Sequence, residues 1–435
     1  MPAIATSKFR VHNAEQFKEA FDETSNTIMY FFVGRNEAFP DDNSPPTPVN
    51  STANVEFTPW RQMMGAKRVQ ASDVTHAIPR YDWTSGTVYD YYDDQDTNLI
   101  ESDDFYVITE DYNVYKCLWN AGGGASTTKP TGTSTSKFTA ADGYIWKYMY
   151  TVSTANALKF LTNDYIPVQT LASDDGSDQW DVQSAAVDGG IDVIRVTSGG
   201  SSYTDGANAI ATISGDGTGA TANVTVDASN VVTAVTVTSV GSGYTSANVQ
   251  ITGGGGSGAQ AVAIIGPKGG HGANAVEELG GKYIMLNVRL DGSEANTITT
   301  ANEFRQVGLI RDPYDYGTSN RGITSNYRQT FRYTVGSVSG TFSADETISD
   351  GGSNTAVVVE YDATNQYLYT LKPVPSNFAN AASISGGTSN ATATIVAIDT
   401  PGLQPYSGDI IYVENRVPIA RAEDQIEDVK LVIQF

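Results

Sequence analysis

Cysteine is all but missing from this 435-residue chain: Cys117 stands alone, so no intrachain disulfide can form and no CxxC metal motif exists. A chain of this size without disulfides suits a reducing compartment. Histidine is nearly as scarce. His12, His76 and His271 have neither His-x-His nor His-x-x-x-His spacing, whereas a zinc site needs at least three N or S ligands within tetrahedral reach. Basic charge is short as well: 26 Lys and Arg against 49 Asp and Glu leave a formal net charge of −23. Such a surface repels nucleic-acid phosphate and anionic membranes alike, so neither is expected as a partner. No run of about 18 apolar residues occurs, and the opening MPAIATSKFRVHN has no apolar segment of signal-peptide type. The chain is therefore expected to be made in the cytosol and not to span a membrane.

Catalytic motifs are equally thin. Gly253–Gly258 (GGGGSG) has no following Lys-Ser/Thr and so is no phosphate loop. No Gly-x-Ser-x-Gly elbow sits at a strand-to-helix junction. The acidic run Tyr89–Asp96, with Glu101, Asp103 and Asp104, lacks the Gly and closing Glu of a calcium loop and reads as a solvated face. His271, in PKGGHGAN, reads as an exposed glycine-flanked turn residue, and Cys117, in VYKCLW, as packing. No metal or cofactor and no enzymatic activity are expected.

Against these absences stand 42 Gly and 24 Tyr, a composition suited to sheets. SGGSSYT (Ser198–Thr204) recurs as SVGSGYT (Ser239–Thr245), and ISGDGTGA (Ile213–Ala220) is answered by ITGGGGSGA (Ile251–Ala259). Further on, ISDGGSNTAVVVEYD (Ile348–Asp362) is echoed by ISGGTSNATATIVAID (Ile384–Asp399). Repeats of this length mark small units that stack their apolar faces. The spacing predicts two inserted β-repeat modules, the second built from two related hairpins. The chain is thereby divided into body 1–188, module 189–266, body 267–334, module 335–400 and body 401–435. In the body, Asn13 and Gln16 form a capping-box pattern for a short helix over about Ala14 to Asp22, with Phe17, Ala20 and Phe21 on one face. Ile28–Val33, Phe105–Ile108, Tyr112–Leu118, Tyr144–Val152, Tyr165–Val168, Tyr283–Leu290 and Gln306–Ile310 read as strands. The last strand alternates Val429, Leu431, Ile433 and Phe435 against Lys430, Val432 and Gln434. The expected fold is mainly β: an antiparallel, sandwich-like body with a short N-terminal helix and two inserted Gly/Ser/Thr-rich modules.

Outside the repeats, an ordered set of segments carries a family likeness. They are IATSKFR (Ile4–Arg10), FFVGRNEAF (Phe31–Phe39), Met63–Gly65, IPRYDW (Ile78–Trp83), VYKCL (Val114–Leu118), DGYIWKYMY (Asp142–Tyr150), NDYIPV (Asn163–Val168), FRQVGLIRDP (Phe304–Pro313) and the whole of Ser407–Phe435. Together they resemble the baseplate wedge subunit encoded by gene eight in T-even-type contractile-tailed bacteriophages. The likeness fails between roughly Ala172 and Val288 and between Val335 and Asp399. It implies a mainly β, sandwich-like homodimer without catalytic activity, resident in the tail baseplate of a virion. There it would contact the other wedge proteins and the connector to the short tail fibres, holding them in register. Trp60, Met63 and Met64, with Arg68 beside them, are candidates for a dimer or partner interface, since Met, aromatics and Arg are enriched at interface cores; the same three apolar residues could equally fill their own subunit's core. A receptor- or glycan-binding adhesin is the alternative, because Gly/Ser/Thr β-repeats with many Tyr suit that role too. A polysaccharide-degrading enzyme has no motif behind it.

Overall fold

The computed structural model describes residues 4–22, 27–102, 104–204 and 208–435. It is mainly β, with 43% strand against 12% helix, and the strands of the five-stranded sheet and of both repeat stretches pair antiparallel. Packing divides the chain into two compact units, one of residues 1–15, 75–285 and 432–435, the other of residues 16–74 and 286–431.

The N-terminal helix runs over Ser7–Asp22, a longer span than the sequence predicted. Thr6, not Asn13, supplies the capping oxygen, its Oγ1 accepting from the Phe9 N–H at 3.2 Å. Asn13 lies within the helix, and Gln16 reaches forward to Glu19 instead. The extra turns hold few apolar residues, so periodicity did not disclose them. They are tied down by ion pairs within the first unit, Lys8 to Glu277 and Arg10 to Glu101.

In the second unit the five-stranded sheet orders its strands Asn326–Arg328, Met63–Arg68, Met29–Gly34, Glu303–Arg311 and Asp409–Ala420. Met29–Gly34 (MYFFVG) is buried at every residue, as an apolar run flanked by strands on both sides must be. Gly308 in the neighbouring strand is compulsory: a Cβ there would overlap the Phe32 ring and the Tyr412 carbonyl. Arg305 anchors the Pro-rich loop to this sheet through Asp42 at 2.9 Å, with Glu303 at 2.7 Å.

The first unit holds a four-stranded sheet ordered Tyr106–Ile108, Asn113–Asn120, Tyr144–Thr151 and Phe138–Thr139. Tyr89, Tyr115, Tyr144, Trp146 and Tyr148 pack one aromatic cluster on it. The pair Val74–Pro79 and Tyr165–Val168 lies beside a second cluster formed by Val11, Ile78, Ile166 and Val276.

Each repeat stretch closes into a six-stranded barrel. The first uses Ile191–Ser201, Ala209–Gly215, Thr218–Val226, Val232–Ser242, Ala247–Gly253 and Ser257–Ile265. The second uses Phe331–Ser339, Thr347–Ser349, Thr355–Asp362, Tyr367–Thr370, Ser383–Gly386 and Thr392–Asp399. Its opening strand thus starts ahead of residue 335, and its repeat unit is three strands, of which the predicted hairpin is the latter two. Counting strands from one to six, both barrels pair one with four, four with three, three with two, two with five, five with six and six with one. Exchanging the two halves leaves this pattern unchanged, so each barrel is a pseudo-twofold of a three-stranded repeat. The repeated residues show why. Tyr203 and Tyr244 are both buried in the first barrel's core, each lying where a Cβ on Gly256 or Gly217 would have to go. In the second barrel Phe342 and Phe378 take matching core places, and Asp345 and Ala381, each three residues further on, both adopt positive φ.

Candidate functional site

The sequence singled out Trp60, Met63, Met64 and Arg68, and the second unit brings them together. Pro59 starts the short helix Thr58–Gln62, which turns directly into the strand Met63–Arg68. Trp60 and Met63 join Tyr30, Phe32, Ile310, Tyr327 and Leu403 in one core, at 2% and 1% exposure, and Met64 is buried as well. Gly65 lets this strand press on its neighbour, since a Cβ would come within 2.6 Å of Ile298. The three apolar side chains therefore spend their surface inside their own subunit. Arg68 alone of the four keeps a solvent-facing side, donating to the Ile323 carbonyl at 3.3 Å. Lys67 beside it is held by Glu294 at 2.7 Å.

Apolar surface open to solvent is found instead on the C-terminal strands. Asp409–Ala420 is the outermost strand of the five-stranded sheet and contains hardly a fully buried residue. Ile411, Val417 and Ile426 are 39%, 49% and 49% exposed. A long edge strand with apolar residues in water is the kind of surface that proteins normally cover or pair. The segment Ser407–Phe435, which carries the longest stretch of the sequence resemblance, thus also carries exposed apolar surface.

In the first unit the structure corrects the reading of His271. It is not an exposed turn residue; it is buried beside Lys116 and Glu278. Lys116 Nζ lies 2.8 Å from Glu278 Oε2 and 3.1 Å from His271 Nδ1, and 4.1 Å from the centre of the Tyr92 ring. Glu278 Oε1 accepts from the backbone N–H groups of Gly272 at 2.8 Å and Asn274 at 3.2 Å. Burial by itself would raise the Glu278 carboxyl, but the Lys116 ammonium and His271 outweigh it and hold the group down to about 2. Burial lowers Lys116, with Glu278 pulling the other way. Burial and the neighbouring Lys116 charge also lower His271, which keeps its ring neutral. Lys116 also faces Lys147 directly across the strand pair, an arrangement that destabilises unless counter-charge is supplied. Sequence inspection passed over Lys116 and Lys147, though a signal was present: VYKCLW and IWKYMY each place a lysine inside a buried aromatic run. Cys117 is buried and unpaired, and burial pushes its thiol up. His12 is exposed on the N-terminal helix, while His76 is buried and donates from Nδ1 to the Gly281 carbonyl. In the acidic run Asp90, Asp94 and Asp96 are exposed, Tyr89 is buried, and Asp103 lies outside the described residues. Among the described residues no three His, Cys, Asp or Glu side chains converge as a metal site would require.

Comparison with known proteins adds the family. The model described as Bacteriophage T4, Gp8 matches residues 3–118 and 308–435. The first barrel lies wholly in the unmatched 119–307, as do DGYIWKYMY and NDYIPV, whereas the matched range 308–435 runs across the second barrel. The chain is similar to "Baseplate wedge protein gp8" of Enterobacteria phage T4, at 28% identity over 204 residues. That alignment covers 38% of this chain and 60% of the relative. The matched segments come from opposite ends of the sequence, yet they supply most of the five-stranded sheet of the second unit. They account for more than half of the 435 residues, and the chain belongs to the phage Gp8 family.

Proposed function

We propose that this protein is a structural subunit of a contractile-tail baseplate, a wedge component that holds neighbouring proteins in place rather than transforming a substrate. The observation that carries this reading is the coincidence of family match and architecture: the family-matched segments build most of the five-stranded sheet, including its outer strand Asp409–Ala420. We further propose that the subunit works in the virion as a homodimer formed through the body. The half-exposed strand Asp409–Ala420 and the neighbourhood of Arg68 are the surfaces offered to a second copy, to other wedge proteins and to the short-tail-fibre connector. A chain carrying −23 opposes its own association, so a stable dimer has to bury well above about 1,000 Å².

Sedimentation at moderate salt tests the dimer: twice the 46.3 kDa chain mass is expected, and a monomer at tens of micromolar rules it out. Cryo-electron microscopy of the particle that carries the protein tests the role. Density for the body within the baseplate wedge is expected. Density only at a fibre tip, touching the host through the barrels, would favour an adhesin instead.

A further inference from the structure

We propose that a cleft in the first unit, between the first barrel and the aromatic sheet, binds a small aliphatic monocarboxylate group. This goes beyond the wedge reading and does not depend on it. The cleft has a volume of about 280 Å³ and is lined by Lys137, Lys147, Asp192 and His271 together with the aliphatic Val237 and Val240 of the barrel.

Its charge is unbalanced. Lys137 reaches Asp192, with Nζ 3.5 Å from Oδ1 and a hydrogen bond to the Asp192 backbone carbonyl. Lys116, behind the cleft, is taken by Glu278. Lys147 is 6% exposed and donates to the Thr135 carbonyl, but no carboxylate among the described residues lies within ion-pair distance. Burial lowers Lys137 and Lys147 as it does Lys116, and as ammonium groups the three outnumber the two carboxylates, Glu278 and Asp192, by one. A buried charge without a partner is costly, and a single anion would satisfy it. A dianion such as phosphate would leave one negative charge over.

His271 gives a second, independent indication. Its Nδ1 accepts from the Lys116 ammonium, so its one ring proton sits on Nε2. The ring is 5% exposed and lines the cleft, and its Nε2–H has no hydrogen-bond acceptor among the described residues. A carboxylate has two oxygens, enough to accept from Lys147 and from this N–H, while Val240 on the cleft wall receives a short alkyl portion. The carboxylate could belong to a free small acid or to a polypeptide C-terminus; both present the same chemistry.

The test uses the full-length protein with sodium propionate as probe, compared against sodium chloride at equal ionic strength and followed by saturation-transfer NMR. Saturable binding with a Kd on the order of millimolar is expected, reasonable for a ligand of so few atoms. Lys147→Met and Thr238→Trp should each weaken it at least tenfold, while the exposed control Lys268→Met leaves it unchanged. Thr238 is solvent-exposed, so its variant blocks the cleft without a burden on folding and guards against a misfolded Lys147→Met. Acetyl-Ala-Ala with a free C-terminus should compete if the site takes chain ends, with its amide inactive; failure of both to compete confines the site to free acids. Propionate binding that is absent, or indifferent to both cleft variants, overturns the proposal.

Discussion

Neutralising Glu278 is the sharpest test of the buried network in the first unit. The ion pair with Lys116 is 2.8 Å long, and the two side chains are 3% and 0% exposed, so water cannot take over when one partner goes. In Glu278→Gln the Oε1 carbonyl can still accept from Gly272 and Asn274, but an amide NH₂ then confronts the Lys116 ammonium. Lys116 must either stay charged and unpaired or lose its proton. Losing it at pH 7 from an ordinary lysine pKa costs about 5 kcal/mol, which caps the damage. Breaking one side of a buried pair generally costs about 3–5 kcal/mol, so the two routes agree. For a cooperative unit of this size each kcal/mol is worth about 2–4 °C, so the thermal midpoint should fall by on the order of 10 °C. Denaturant titration at pH 7, followed by circular dichroism, gives the free energy directly. The double variant Lys116→Met/Glu278→Gln should recover more than half of the loss, because an uncharged pair of similar volume is tolerated where a lone buried charge is not. The wild-type advantage should also depend on acid. With the Glu278 carboxyl held down to about 2, its contribution is complete above the ordinary carboxylate range and is lost as pH falls from about 4.5 towards 2. The gap between wild type and Glu278→Gln should therefore narrow over that interval. A single variant within about 0.5 kcal/mol of wild type, or a double variant no better than the single, would refute the reasoning.

Three further outcomes are expected. Gly308→Ala forces a Cβ into the Phe32 ring and the Tyr412 carbonyl, and should destabilise the second unit by about 2 kcal/mol or more, read by urea unfolding; a neutral result would mean the sheet yields there. Replacing residues 191–265 with a short Gly/Ser linker should leave a folded remainder, because Gly266 N–H already donates to the Gly190 carbonyl at 2.8 Å and the two ends meet. That deletion uncovers Leu118, which packs on Val193 and Ile264, so some loss of solubility should accompany a preserved near-ultraviolet spectrum; an unfolded chain would show that the barrel is not separable. Glu346 clasps the second barrel by accepting from Ser343 N–H at 2.7 Å, Ser389 N–H at 2.9 Å and Thr388 N–H at 3.0 Å. Those donors and the Ser389 hydroxyl outweigh burial and lower its carboxyl, so Glu346→Gln should cost about 1–3 kcal/mol near neutral pH, a difference that shrinks as pH falls below the ordinary carboxylate range.

Much of this protein could be read from neighbouring residues alone. The apolar runs at Met29–Gly34 and Tyr165–Val168 are marked off by their flanking turn residues, and the alternation ending at Phe435 is a period-two pattern that by itself sets the strand's face. The repeated Gly and Tyr of the first barrel and the paired hairpin sequences of the second announced duplicated β-units for the same reason: positive φ and close backbone approach restrict residue choice at the position itself. The family, too, was legible, from short segments kept in order. Trp60, Met63 and Met64 show where such reading divides. Their types are those of an interface and of a core, and only the tertiary structure buries all three, Trp60 and Met63 among Tyr30, Tyr327 and Leu403. The helix start at Ser7 was hidden because its first turns are secured by Glu101 and Glu277 from far along the chain. Barrel closure, and the same pairing order in two barrels with different repeats, depend on strands meeting across long separations. The buried Lys116, Lys147, His271 and Glu278 were least visible of all. Whether a lysine is solvated or desolvated depends on what surrounds it, and here the carboxylate that makes Lys116 tolerable is 162 residues away, brought into reach by the fold alone.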